Sequence, residues 1–383
     1  MNREIALVGP FSQNQRGVIQ NGLNQAGLLV NASIHDDVTT VPPESLVAVR
    51  GGVRIPATRD DLKLVVSGGR GTANIDPLEG RRIYDCRGEN APETASHALA
   101  LAIDLYNRKN HEKALSSSDI RVGVIGAGHV GANIALLAHK LGFQVKLTQR
   151  HGKGIPTDID RILTEDQDAV LSESDLIIIA ASGKSIIGSN DRNSIGTIGL
   201  NGKVLVNIAR ADAISAEEFN HLRLGPSIST DVWYEEPRIG GEIPVSVRNL
   251  LLGSDGLPSV EGTMHQAAQQ ESSNLAVAIR LANIMENLFK DQNVDEPTSA
   301  YSIIQSILSE TAATGVQIAS LCESSDIRRV QVLRKSLLGM VTDLVGRPVL
   351  WKNPEIILPK QGVLHDFVKM IRNGQKDRGT SIR

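Results

Sequence analysis

"VGVIGAGHVGANIALLAHKLGFQVKLTQR", residues 122–150, decides the fold of this chain. It opens on an apolar run, passes through Gly126, Gly128 and Gly131, and continues as an amphipathic stretch before a second apolar run at 145–148. The order is strand, tight turn, helix, strand. In a G-x-G-x-x-G turn the first glycine permits the sharp bend and the second lets a diphosphate approach the backbone. The third lets helix and strand pack closely. The unbonded N–H groups of the helix start, with its positive dipole end, then hold the phosphates. Gly126, Gly128, His129, Val130 and Gly131 are therefore the expected dinucleotide cradle, with His129 read as a loop residue facing solvent. At the end of the second strand an acidic residue ordinarily accepts the ribose hydroxyls. Gln149 and Arg150 stand there, with Lys153 nearby. A guanidinium offers a planar fork of donors to a 2′-phosphate, so the pocket reads as favouring NADP(H). NAD(H) is the alternative, in which Arg150 turns to solvent.

Working outward, short apolar runs alternate with amphipathic ones, the pattern of βα units and parallel sheets. Strands are expected at 5–8, 28–30, 46–49, 64–66 and 82–84, then at 122–125, 145–148, 176–180, 204–207, 228–231 and 250–252. A long helix begins near Pro92, with Ala95, Ala98, Leu99, Ala102, Leu105 and Tyr106 on one stripe. Ser215 and Glu218 form a capping-box pattern, and a further helix is expected over 263–290. After the linker "DQNVDEPTSA", 291–300, Ile303, Ile304, Ile307 and Leu308 mark one amphipathic helix, and Val330, Leu333, Leu337, Leu338, Val341 and Leu344 a second. This extension is read as a packing or dimer element.

The 383 residues exceed one ordinary core. No apolar run reaches the length of a membrane span, and the start reads as a first strand, with no signal peptide. A net charge of −3 with 3% aromatics carries no nucleic-acid footprint. Cys86 and Cys322 have no disulfide or metal-ligand spacing, so no metal is expected and a reducing, cytoplasmic setting fits.

From about 46 to 290 the chain resembles the D-isomer-specific 2-hydroxyacid dehydrogenases, the group that includes formate and phosphoglycerate dehydrogenases. "LVAVRGG" (46–52), "LKLVVSGGRGTANID" (62–76), "GAGHVG" (126–131), "VLVNIARADAIS" (204–215) and "DVWYEEP" (231–237) carry the resemblance, in that order along the chain. It implies two Rossmann-like, doubly wound α/β domains of parallel sheet with a cleft between them, plus the helical C-terminal extension. Residues 1–91 and 265–290 would form the substrate domain, 92–264 the NAD(P)-binding domain, and 291–383 the extension, in a homodimer. Arg210 matches the arginine that binds the substrate carboxylate, and the Gly69-Arg70-Gly71 loop would hold its other oxygen. Asp231 matches the aspartate beside the nicotinamide carboxamide, Ala209 lies in the same cofactor-facing signature, and Glu236 matches the glutamate that raises the pKa of a catalytic histidine.

That histidine normally sits in a T-P-H stretch. The comparable stretch is taken as "LPSVEGT", 257–263, which puts Ser259 at the position, and a serine hydroxyl is no general acid near neutral pH. Asp255 and His265 are the candidates to replace it, His265 lying on the expected helix. Ala73 stands for an aspartate, Ala211-Asp212 for a glycine pair, and Lys184 falls in an altered loop.

The leading expectation is an NAD(P)H-dependent oxidoreductase acting on a small anionic substrate, a 2-oxo acid or a related phosphonate or imine. Two alternatives stay open. One is a catalytically weak NAD(P)-binding regulatory protein, favoured by Ser259. The other is an adenosylhomocysteinase-like enzyme with tightly held cofactor.

Overall fold

A computed structural model of the chain describes residues 4–28, 32–50, 53–68, 72, 74–110, 116–149, 160–181, 183–184, 186–187, 199–235, 244–252, 260–263, 265–268, 271–295, 299–310 and 337. It divides into two compact units, Met1–Ala91 with Gln269–Thr298, and Pro92–Ala268 with Ser299–Arg383.

The first unit is built on β1 (Ile5–Val8), β2 (Ser33–His35), β3 (Leu46–Val49), β4 (Leu64–Ser67) and β5 (Arg82–Asp85), in the parallel order β2-β1-β3-β4-β5. Side chains alternate across a strand, and β1, β3 and β4 are buried on both faces. Ile5, Leu7, Leu46, Ala48, Leu64 and Val66 meet α1 (Gln13–Gln25) and α7 (Glu271–Phe289) through Ile19, Leu23, Leu281 and Met285. Ala6, Val8, Val47, Val49 and Val65 face Val38, Val41, Ile55 and Leu62. Burial on both faces is why these three strands read as apolar runs. Ser12 and Gln15 cap α1 reciprocally, and Gly27, at φ +76°, ends it with Leu28 N–H on the Leu23 carbonyl at 3.0 Å. Leu28 thus closes a helix, and the second strand begins at Ser33 instead of at 28.

The second unit carries β6 (Arg121–Ile125), β7 (Gln144–Thr148), β8 (Leu163–Thr164), β9 (Leu176–Ile179), β10 (Val204–Asn207), β11 (Ser227–Thr230) and β12 (Glu261–Gly262). All are parallel, in the order β12-β11-β10-β9-β6-β7-β8. The order reverses between β6 and β9, and the carboxyl ends there form the crevice where doubly wound sheets take ligands. One face packs Val122, Val124, Ile178 and Val206 against α2 (Ala91–Lys109) and α3 (His129–Lys140). The other packs Ile125, Ile177, Ile179 and Leu205 against α4 (Gln167–Glu173), α5 (Ala216–Leu222) and α6 (Val245–Leu252). Ser215 caps α5, accepting from Glu218 N–H at 3.1 Å.

Two expectations fail here. Residues 250–252 end a helix, because Val247 and Leu250 share one face three residues apart and turn it to the core. The edge strand of the sheet is β12 instead, and the helix expected from 263 starts only at Glu271. The first helix of the extension, α8 (Ala300–Ser309), packs on α3, with Ile304 and Ile307 in the core beside Leu337. Glu310 pairs with Lys140, and its carbonyl lies 3.1 Å from His139 Nε2. Val330, Leu333, Leu338, Val341 and Leu344 lie outside the described residues.

Candidate cofactor and active site

The glycine turn follows β6 at the reversal of strand order. Gly126 has φ +109°, and a Cβ there would lie 2.6 Å from Ala181 Cα. A Cβ on Gly131 would lie 1.8 Å from the Gly126 carbonyl oxygen, whereas one on Gly128 would meet nothing within 4 Å. The turn is therefore packed shut behind and open in front. Gly128 precedes α3 without a side-chain cap, so the first N–H groups of the helix, at His129, Val130 and Gly131, point into the opening. Gly126 N–H donates to both the carbonyl and the Oγ1 of Thr148, at 3.2 Å each, tying the turn to the end of β7. Gln149 follows, half-buried, its N–H on the Thr164 carbonyl at 2.9 Å. The position that ordinarily bears an acid is thus a neutral amide. An open glycine, uncapped N–H groups and the strand reversal in one place fit the diphosphate of a nicotinamide dinucleotide.

Arg210 follows β10 on a turn closed by one amide. Asn207 Nδ2 donates to the Arg210 carbonyl at 3.0 Å, and Asn207 Oδ1 accepts from Ala209 N–H at 3.1 Å. The guanidinium is exposed, bonds the Ala209 carbonyl at 2.8 Å, and has no acidic partner among the described residues. Asp212 instead faces Lys184 at 4.0 Å, both in solvent. The N-x-x-R spacing pointed to Arg210 without showing that Asn207 is its clamp.

A buried polar cluster lies beyond β11 and β12. Register pairs Thr230 with Gly262, which brings the next residues, Asp231 and Thr263, side by side. Thr263 Oγ1 donates to Asp231 Oδ1 at 2.5 Å, and His97 Nε2, on α2, lies 2.8 Å from Thr263 Oγ1. Asp231 also accepts Gln266 N–H on Oδ1 at 2.7 Å and Ala267 N–H on Oδ2 at 3.0 Å. Trp233 Nε1 donates to the Thr263 carbonyl at 2.8 Å. Burial opposes ionisation of Asp231. His97, 3.6 Å away, the Thr263 hydroxyl and the Ala267 N–H outweigh it, holding the carboxyl below its ordinary value.

His265 N–H bonds the Asp231 carbonyl at 2.7 Å, and its backbone is left-handed at φ +50°, an uncommon conformation for a non-glycine residue. It sits half-buried on a turn, six residues ahead of the helix. Arg150, Gly69, Arg70, Gly71, Glu236, Asp255 and Ser259 lie outside the described residues. The residues that sequence reading missed are His97, Thr263 and Trp233. The only signal was the T-x-H spacing of 263–265. Among the described residues there is no group of His, Cys, Asp or Glu able to hold a metal, and no helix long and apolar enough to cross a membrane.

Residues 95–253 match the family model described as the D-isomer specific 2-hydroxyacid dehydrogenase, NAD binding domain. The match spans α2 through the end of α6, and so includes the glycine turn, the N-x-x-R turn and Asp231. No curated protein sequence matches the chain. Among solved structures, the D-isomer specific 2-hydroxyacid dehydrogenase of Lactobacillus delbrueckii ssp. bulgaricus, in its NAD-complexed form, is similar at 16% identity with a TM-score of 0.61, over 77% of this chain and 99% of that one. The D-lactate dehydrogenase of Aquifex aeolicus, complexed with NAD and lactic acid, is similar at 18% and 0.58, over 75% and 96%. The NAD+-bound 3-phosphoglycerate dehydrogenase of Entamoeba histolytica is similar at 20% and 0.56, over 76% and 97%. At these identities the likeness shows a shared α/β fold.

Proposed function

We propose that the protein is an NAD(P)H-dependent oxidoreductase of the 2-hydroxyacid dehydrogenase type, with Arg210 as anchor of a small carboxylate and His265 as its proton donor. One observation carries this reading. The glycine turn, Arg210 and His265 all follow the carboxyl ends of strands in one parallel sheet, after β6, β10 and β12. Such a sheet takes its ligand along that edge.

A bound nicotinamide dinucleotide would supply the hydride that reduces a carbonyl carbon, or accept it in the reverse direction. Arg210, exposed and free of a described acidic partner, can grip a 2-oxo acid by two parallel N–H···O bonds, fixing the carbonyl and drawing charge toward itself. His265 gives a proton to the carbonyl oxygen as hydride arrives, so that C=O becomes CH–OH. Imidazole is suited to this because its ordinary pKa lies near neutrality. Thr263-Met264-His265 reproduces the T-x-H spacing directly after the last strand, with methionine in place of proline. On this reading the histidine is present, and Asp255 and Ser259 are not its substitutes. Glu236 is the partner proposed to orient its imidazole. Gln149 and Arg150 support NADP(H) over NAD(H), though the relatives named above were solved with NAD.

Oxidation of NADPH and of NADH against glyoxylate, pyruvate, hydroxypyruvate and 2-oxoglutarate tests the proposal. Turnover with at least one, faster with NADPH, is expected. A protein that binds reduced cofactor and oxidises it with none of them contradicts it.

A further inference from the structure

We infer that His97 is a positioning residue for His265, acting through Thr263 and Asp231. The inference rests on the reading of His265 as the proton donor. His97 lies on α2, 166 positions from Thr263, fully buried, and no step of the proposed chemistry uses it.

The direction of the chain of bonds follows from donor inventory. A carboxylate only accepts, so the Thr263 hydroxyl spends its single proton on Asp231 Oδ1, at 2.5 Å. The proton between His97 and Thr263, at 2.8 Å, then comes from His97 Nε2. His97 is thereby the donor that turns the Thr263 hydroxyl toward Asp231. Asp231, so supplied, faces the chain beyond β12 and takes the N–H groups of Gln266 and Ala267 on its two oxygens. Binding two successive amides with one carboxylate folds residues 265–267 back on Asp231, while Asp231's own carbonyl holds His265 N–H at 2.7 Å. His265 is left with φ +50°, a conformation that persists only where its surroundings over-determine it. Among the described residues, these three bonds from backbone N–H groups to Asp231 contribute to holding it. Trp233, on the Thr263 carbonyl, closes the cluster from the far side. Members of a buried hydrogen-bonded network of this kind are coupled, so removing one affects the rest.

The test reads the turn directly and needs no substrate. Hydrogen exchange of the full chain is followed in peptides covering 263–268, for wild type, His97→Leu and His97→Gln. Leucine removes the donor; glutamine restores an N–H at the reach of Nε2. In His97→Leu, exchange at Gln266 and Ala267 should quicken by about tenfold or more while the sheet strands stay protected. With any 2-oxo acid that the wild type reduces, kcat should fall by about 10²-fold, with KM and cofactor affinity held within about threefold. His97→Gln should recover both. Unchanged exchange in His97→Leu, or a glutamine variant as impaired as leucine, overturns the inference. If His97→Leu does not fold, Thr263→Val must show the same fast exchange and Thr263→Ser the wild-type value, and the reverse pattern overturns it equally. His265→Asn separates the two readings. Full activity there removes the proton-donor role, and the exchange data still decide whether His97 holds the turn.

Discussion

Alanine at Gly131 and at Gly128 should weaken dinucleotide binding for different reasons, and the difference can be worked from the geometry. A Cβ at Gly131 falls 1.8 Å from the Gly126 carbonyl oxygen, about 1.2 Å inside the 3.0 Å that such contacts respect. The oxygen is backbone, in the glycine turn, and the Cβ is fixed by the backbone of the first turn of α3, so neither atom can swing away. The helix start must shift by roughly that amount, at an overpacking cost of about 1–3 kcal/mol. The same shift carries the N–H groups of His129 and Val130 off the diphosphate. Losing one charge-assisted bond costs about 1.5–3 kcal/mol, which is about 10–150-fold in Kd. At Gly128 a Cβ meets nothing within 4 Å, and the backbone, at φ −77° and ψ −176°, accepts any residue. Gly128→Ala should therefore keep the wild-type Tm, yet lose affinity because the methyl occupies the ligand's space. Thermal melts with fluorescence titration of NADH and NADPH would read both quantities. Gly131→Ala should lose stability and affinity together, and Gly128→Ala affinity alone. Cofactor bound within about twofold of wild type by both variants would refute the placement of the diphosphate.

Arg210→Lys should reduce kcat/KM by about 10²-fold or more with cofactor affinity within about threefold, because a point charge cannot copy a bidentate hold; full activity would remove Arg210 as anchor. Arg150→Asp should cost NADPH about 1.5–3 kcal/mol of binding and NADH far less, and equal losses in the two titrations would contradict the NADP(H) preference. Asp231, held below its ordinary value of 3.8, binds its proton more weakly folded than unfolded. It therefore adds stability that is fully present above that value and is lost as pH falls through the lower folded one. The Tm gap between wild type and Asp231→Asn should be constant above pH 3.8 and shrink below it; a gap independent of pH would show that Asp231 is not a stabilising carboxylate.

What the sequence made legible were features with local causes. The glycine turn and the runs Ile5–Val8, Leu46–Val49 and Val204–Asn207 stand out because both faces of each sheet are buried, so the strands carry almost no polar residue. Leu250–Leu252 misleads for the same reason, since three apolar residues read alike as a buried strand or as the end of a helix. The true edge strand, Glu261–Gly262, is two residues long and half polar, too short for any period. α1 is hidden by its polarity, with Ile19 and Leu23 buried, Val18 partly so, and the polar Gln15 buried beside them. Pro258 drew the T-P-H position to Ser259, and the proposal for His265 rests instead on the T-x-H spacing of Thr263 and His265 with Met264 between them. His97 could not have been found locally, because its partners lie on strand ends far along the chain and its own helix reads as core.

Proton transfer by His265 is read most simply from single-turnover oxidation of bound NADPH or NADH by His265→Gln. The 2-oxo acid would be the one that the wild type reduces fastest. The expected rate is lower than wild type by about 10²–10⁴-fold at saturating substrate, with cofactor binding within about threefold of wild type. A His265→Gln protein that oxidises its cofactor at the wild-type rate would contradict it.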